Sequence, residues 1–191
     1  MTCIAGLVHE GQVYLGADSA AISGWDLTVR SDTKLFQNGA FIGGFTSSFR
    51  MGQLLAHAWK PPKASDDNTM RYLVGPVMAS LRKVFKAGGY KGESGEEGGT
   101  FLLGYAGALY TISSDFQVGV SADPYAAVGC GGPVACGSLH ATASLGLGPQ
   151  ERLRLALEAA ERHSAGVRGP FVYLTLPEGQ GLQDRHNEDS P

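Results

Sequence analysis

Short runs of apolar residues broken by turn residues mark the first third of the chain. Cys3-Ile4-Ala5-Gly6-Leu7-Val8 and Gln12-Val13-Tyr14-Leu15-Gly16-Ala17 flank His9-Glu10-Gly11, the pattern of two strands joined as a hairpin. After a polar connection, Leu27-Thr28-Val29-Arg30 and Ala40-Phe41-Ile42-Gly43-Gly44 predict two more strands of a mostly antiparallel sheet. The period then changes. From Ser48 to Trp59 the apolar residues Met51, Leu54, Leu55 and Ala58 recur at helical spacing, and Lys60-Pro61-Pro62 ends the helix because proline cannot continue it. A second helix is predicted from Thr69 to Lys86, with Tyr72, Leu73, Val77, Leu81, Val84 and Phe85 on one side.

The stretch from Gly88 to Gly99, rich in glycine and carrying Glu93, Glu96 and Glu97, reads as a mobile surface loop between two halves. Beyond it the order repeats. Thr100–Gly104, Ala108–Ser113 and Tyr125–Val128 are strand-like, Pro133–Leu145 and Gln150–His163 are helical, and Phe171–Leu174 is a closing strand. The tail, Glu178–Pro191, is polar and is expected to be disordered. Strand pairs followed by helix pairs, twice over, predict an α+β fold in which two stacked antiparallel sheets are flanked by helices, a four-layer αββα sandwich. With 191 residues, 43% of them hydrophobic, a single domain over 1–177 can bury its own core.

Charge and cysteine content narrow the function classes. A net charge of −3 without a basic cluster argues against nucleic-acid binding. No apolar stretch approaches a membrane span and no signal-peptide plan opens the chain, so a cytoplasmic protein is expected. Cys3, Cys130 and Cys136 lack zinc or redox spacing, and His9, His57 and His140 stand alone, so neither metal nor cofactor is expected. Gly129-Cys130-Gly131-Gly132 precedes a helix but does not complete a dinucleotide fingerprint. Cys130 also lacks the signature of a papain-like nucleophile, although His140 and His163 are present.

Chemistry is suggested by the start of the chain. A small residue after Met1 lets an aminopeptidase remove the methionine, leaving Thr2 with a hydroxyl nucleophile and a free α-amine as its own base. Such an amine titrates near about 7.7–8.0 and is partly neutral at cytoplasmic pH. Asp18 ends an apolar strand and Lys34 precedes the apolar pair Leu35-Phe36, two charges that need one another if both are buried.

Met1-Thr2-Cys3-Ile4-Ala5-Gly6-Leu7, Gly16-Ala17-Asp18-Ser19 and Ser31-Asp32-Thr33-Lys34-Leu35-Phe36 together resemble, in order and spacing, the start of proteasome β subunits and HslV-type proteases. The likeness is clear over residues 2 to about 50 and continues more weakly through Val128–Pro133 to the closing strand. The segments His57–Pro62 and Ser80–Phe85 also resemble proteasome-like proteins of bacteria and phages. The resemblance implies an N-terminal-nucleophile fold and a threonine-type peptidase or amidase, with Thr2 as nucleophile and Asp18 and Lys34 as a buried pair beside it. It implies a main-chain oxyanion donor at Thr46 or Ser47, where the family usually has glycine. Cys130 stands where the family has a serine, and His163 where it has an aspartate, in the segment Arg162-His163-Ser164-Ala165-Gly166. A homo-oligomeric ring, a peptide or unfolded-protein substrate and an ATPase partner are also implied. Two rivals follow from the departures: a transpeptidase on the same fold, and a catalytically silent ring or scaffold subunit.

Overall fold

The computed structural model describes residues 1–64, 68–90 and 98–178. Strands β1 (Ile4–His9) and β2 (Gln12–Ala17) form the expected hairpin, closed by Glu10 and Gly11, both at positive φ. The pair is flanked by β10 (Tyr125–Val128) and β11 (Val172–Leu176), giving a four-stranded sheet of order β10-β1-β2-β11. A five-stranded sheet runs β5 (Leu35–Asn38), β6 (Phe41–Phe45), β7 (Phe101–Tyr105), β8 (Ala108–Ile112) and β9 (Val118–Val120). All strand pairs among the described residues are antiparallel.

Side-chain alternation along each strand explains how the sheets pack. On β1, Ala5 and Leu7 face helices α4 (Gly132–Ala141) and α5 (Pro149–His163), whereas Ile4 joins Val13, Leu15, Leu35, Ile42 and Leu102 in a core between the sheets. On β7, Phe101, Leu103 and Tyr105 face the other way, into a core shared with α1 (Phe49–His57) and α3 (Met78–Ala87). Each fully buried Leu or Phe contributes about 1.5–3 kcal/mol of transfer free energy. Glycine sets the spacing of the two sheets, since a Cβ on Gly44 would lie 2.5 Å from Ile4 Cγ2.

Several elements differ from the sequence reading. The strand expected at Leu27–Arg30 is β4 (Asp26–Val29), and among the described residues it pairs only with β3 (Ala20–Ser23) in a separate two-stranded sheet. Its pattern predicted a sheet position, but all four β4 residues are exposed. The pairs Ala20–Val29 and Ile22–Leu27 share one face of this hairpin, and Ala21–Thr28 and Ser23–Asp26 share the other. The helix expected over Thr69–Lys86 is present as α2 (Thr69–Tyr72), a π-helical stretch (Leu73–Val77) and α3. Pro76 lies within that stretch, where its missing N–H interrupts the regular ladder. Helix α4 ends at Ala141 rather than Leu145, because Thr142 turns its hydroxyl back onto the Ser138 carbonyl at 2.8 Å. The expectations for the 88–99 loop and the 178–191 tail fall largely on 91–97 and 179–191, outside the described residues.

Candidate active site

The β1–β2 register decides where the site forms. Ile4 pairs with Ala17, so Asp18, the residue that follows β2, lies opposite Cys3 and donates its N–H to the Cys3 carbonyl at 3.2 Å. The Asp18 carboxylate, fully buried, accepts from the backbone N–H groups of Cys3 (3.0 Å), Ala20 (3.0 Å) and Arg168 (3.2 Å). Lys34 approaches from the other sheet. Its carbonyl accepts from Phe45 N at 3.1 Å, which fixes the entry to β5. Its ammonium donates to Asp18 Oδ1 at 2.7 Å and to Thr2 Oγ1 at 2.9 Å. Lys34 is 1% exposed and Thr2 is 4% exposed. Burial lowers the Lys34 pKa, and the adjacent Asp18 carboxylate opposes that shift.

The backbone of Thr2 is held from a third direction. Its N–H donates to Cys130 Sγ at 3.3 Å, and its carbonyl accepts from Gly131 N at 3.2 Å and from the Cys130 thiol at 3.5 Å. Gly129, at φ +93°, makes this approach possible, since a Cβ there would stand 2.2 Å from the Thr2 carbonyl oxygen. Ser164 Oγ donates to Cys130 Sγ at 3.3 Å. The Thr2 hydroxyl donates to the carbonyl of Met1, the residue that caps its nitrogen in this chain.

The two oxyanion candidates separate on geometry. Thr46 N–H is already engaged with the Thr100 carbonyl at 3.0 Å, which also accepts from the Thr46 hydroxyl at 2.7 Å. Ser47 takes the left-handed conformation, φ +63°, and its N–H donates to no acceptor among the described residues. It sits directly before Ser48, whose hydroxyl caps α1 by accepting from Arg50 N and Met51 N, so the helix dipole adds positive potential there. A cavity of about 290 Å³ opens between Thr2, Lys34 and Ser47 on one side and the Ala21, Ser23, Asp26 and Thr28 face of the β3–β4 hairpin on the other.

Thr2, Asp18, Lys34 and Cys130 are thus brought together, with Ser47 across the cavity. His163 is not among them. It is exposed at the last position of α5 and makes no hydrogen bond among the described residues, because the chain turns at Ser164 and presents that hydroxyl to Cys130 instead. Ser164 lies in the segment whose resemblance is to an aspartate followed by a serine, and its hydroxyl is what that segment brings to the site. The Arg168 amide had no sequence signal, since any residue supplies an N–H. Among the described residues no group of three or more His, Cys, Asp or Glu could hold a metal ion, and no helix is long and apolar enough to cross a membrane.

Paired antiparallel sheets with helices make a mixed α+β architecture, with the threonine, lysine and aspartate cluster at the end of the first hairpin. Among solved structures, BPH of Thiobacillus denitrificans matches with a TM-score of 0.74 at 18% identity, covering 92% of this chain and 98% of that one. The same protein in complex with epoxomicin matches with a TM-score of 0.74 at 16% identity, over 92% and 99% of the two chains. HslV from Trypanosoma brucei matches with a TM-score of 0.67 at 17% identity, again over 92% and 99%. At these identities the likeness is one of fold. No family model and no curated protein matches the sequence.

Proposed function

We propose that this protein is an N-terminal threonine peptidase or amidase, built as a four-layer αββα unit over residues 1–177. One observation carries the reading: a buried ammonium, Lys34 Nζ, bridges Asp18 Oδ1 at 2.7 Å and Thr2 Oγ1 at 2.9 Å. Burying a charge is unfavourable unless a partner offsets it, and a lysine aimed at one hydroxyl has an evident use in stabilising the alkoxide that hydroxyl becomes.

Removal of Met1 converts Thr2 N from an amide to a primary amine at the same position, beside Cys130. That amine accepts the Thr2 hydroxyl proton as Oγ1 attacks a substrate carbonyl, while Lys34 stabilises the developing charge on Oγ1. The Ser47 N–H is the donor aimed at the carbonyl oxygen, a contribution of about 2.7–4 kcal/mol in comparable sites. The protonated amine then passes its proton to the leaving nitrogen, giving an ester on Thr2. Water, deprotonated by the same amine, releases the acyl group. The substrate is a peptide or unfolded protein reached through the hairpin-walled cavity, and the working form is a homo-oligomeric ring in the cytoplasm, with an ATPase as a further partner.

The test is intact mass before and after incubation with an epoxyketone, which requires both the hydroxyl and the free amine of an N-terminal threonine. The complex of BPH with epoxomicin supports the choice of probe. Loss of Met1 and a single adduct, absent from Thr2→Ala, is the expected result. Retained Met1, or a free Thr2 that takes no adduct, would instead identify a silent subunit. Aminolysis products formed with an added peptide amine would identify a transpeptidase.

A further inference from the structure

We propose that Cys130 is a peroxide-sensitive modification site that switches the Thr2 nucleophile off through a reversible sulfur–nitrogen bond. The inference rests on the proposed removal of Met1 and goes beyond it. Its basis is contact geometry. Cys130 is exposed, its Sγ lies 3.3 Å from Thr2 N, and Ser164 Oγ donates to the same sulfur at 3.3 Å. The sulfur is thus held against the nitrogen while its residue stays open to a small oxidant from solvent. A serine at this position would hold the amine equally well and would have no such reactivity.

The chemistry proceeds in two balanced steps. The Cys130 thiolate attacks one oxygen of hydrogen peroxide and the O–O bond breaks. Sulfur is oxidised by two electrons to the sulfenic acid, and the departing hydroxide takes up a proton to leave as water. The neutral Thr2 amine then attacks that sulfur. The S–N bond forms, the S–O bond breaks, and the hydroxyl leaves as water with a proton from the amine, with no further change of oxidation state. Reversal requires a dithiol reductant. One of its thiolates attacks sulfur, the S–N bond breaks and the amine regains a proton. The second thiol resolves the mixed disulfide, restoring the Cys130 thiol.

Two features direct the sulfenic acid to nitrogen. Gly129, with no side chain, lets the turn lie directly against Thr2, and the Gly131 N–H bond to the Thr2 carbonyl at 3.2 Å keeps Cys130 there. The competing thiol, Cys3, is fully buried and its pKa is pushed up to about 12, so it remains protonated and weakly nucleophilic at neutral pH. While the S–N bond persists, the amine cannot act as base, and acylation of Thr2 stops.

The experiment uses the full chain with Met1 removed, treated with hydrogen peroxide and examined by intact and tandem mass spectrometry. The expected product is lighter by two hydrogen atoms, with Thr2 N linked to Cys130. After denaturation without reductant, Cys3 and Cys136 both take an alkylating label and Cys130 does not. Epoxyketone labelling is lost with the link and returns on adding dithiothreitol. Cys130→Ser, compared with its own untreated sample, keeps its labelling after peroxide. The mass readout on the unsubstituted chain holds even if that variant folds poorly. A Cys3–Cys130 disulfide, leaving only Cys136 to alkylate, would overturn the proposal, as would added oxygen at Cys130 without a link, or an unchanged mass. Those results leave labelling of the untreated protein intact, whereas retained Met1 or an untreated protein that takes no adduct removes the peptidase reading as well.

Discussion

Lys34 and Asp18 are buried together, yet their removal should have unequal consequences. Asp18 keeps three backbone N–H donors when Lys34 is replaced, whereas Lys34 keeps the Thr2 hydroxyl and the face of the Phe49 ring, 5.9 Å away, but no anion among the described residues when Asp18 is replaced. Breaking a buried pair by deleting one partner costs about 3–5 kcal/mol, most of it for the charge left behind. Asp18→Ala is therefore expected to lower the urea midpoint more than Lys34→Met, and both are expected to abolish epoxyketone labelling. The pH dependence has a definite sign. Burial places the folded-state pKa of Lys34 below its ordinary 10.5, so between those two values the unfolded chain binds more protons. This residue's contribution to stability is present above 10.5 and is lost as pH falls through the folded-state value. Urea midpoints measured across the alkaline range should rise more steeply with pH, or fall less steeply, in the wild type than in Lys34→Met.

The segment from β6 into α1 shows how an element boundary becomes a functional group. Ser47 sits in the left-handed region, which costs a non-glycine residue roughly 1–2 kcal/mol, and that conformation leaves its N–H without an acceptor at the helix entrance. Ser47→Gly relieves the strain but adds about 0.4–1 kcal/mol of unfolded-chain entropy and removes the hydroxyl that accepts from Thr100 N at 3.3 Å, so a net gain below about 1 kcal/mol is expected, with labelling retained. Ser48→Ala removes the cap and should cost about 1 kcal/mol by urea titration. Element-level patterns carried much of the fold. The β1–β2 hairpin, α1, α5 and β7–β8 have uninterrupted periodicity, and their residues occupy the positions that periodicity implies. Strands β3, β5 and β9 were not recognised, being three or four residues long and so too short to show a repeat, although each pairs with its neighbour in sequence. In the site, Thr2 was legible from its place after Met1, and Asp18 and Lys34 from the resemblance of the first fifty residues to a family that pairs those positions beside the nucleophile. Ser164 and the amide of Ser47 depend on turn conformation, which residue type alone does not specify.

At the scale of the whole molecule, the site is split between sheets. Thr2 and Asp18 adjoin the four-stranded sheet, and Lys34 and Ser47 adjoin the five-stranded one, so the 2.9 Å contact between Lys34 and Thr2 depends on inter-sheet spacing. Gly44 sets that spacing against Ile4, two residues from the nucleophile. Gly44→Ala should cost about 1–3 kcal/mol through overpacking, and Ile4→Ala, which deletes the Cγ2 that the new Cβ meets, should show a favourable coupling with it in a double-mutant cycle. Because separation of the sheets withdraws Lys34 from Thr2, the labelling rate is expected to fall under conditions where Gly44→Ala remains fully folded by circular dichroism.

The same hairpin that walls the cavity ends in Trp25, wholly exposed, whereas the other tryptophan, Trp59, is 1% exposed, packs edge-on to Phe41 and donates its indole N–H to Ser80 Oγ at 2.9 Å. The chain therefore carries two optical probes in opposite surroundings. Iodide should quench Trp25 and spare Trp59 in the native state, and denaturant should shift only the Trp59 emission to the red. A blue shift of the quenchable component, with Trp59 unchanged, would report that the hairpin had been covered without any disturbance of the core.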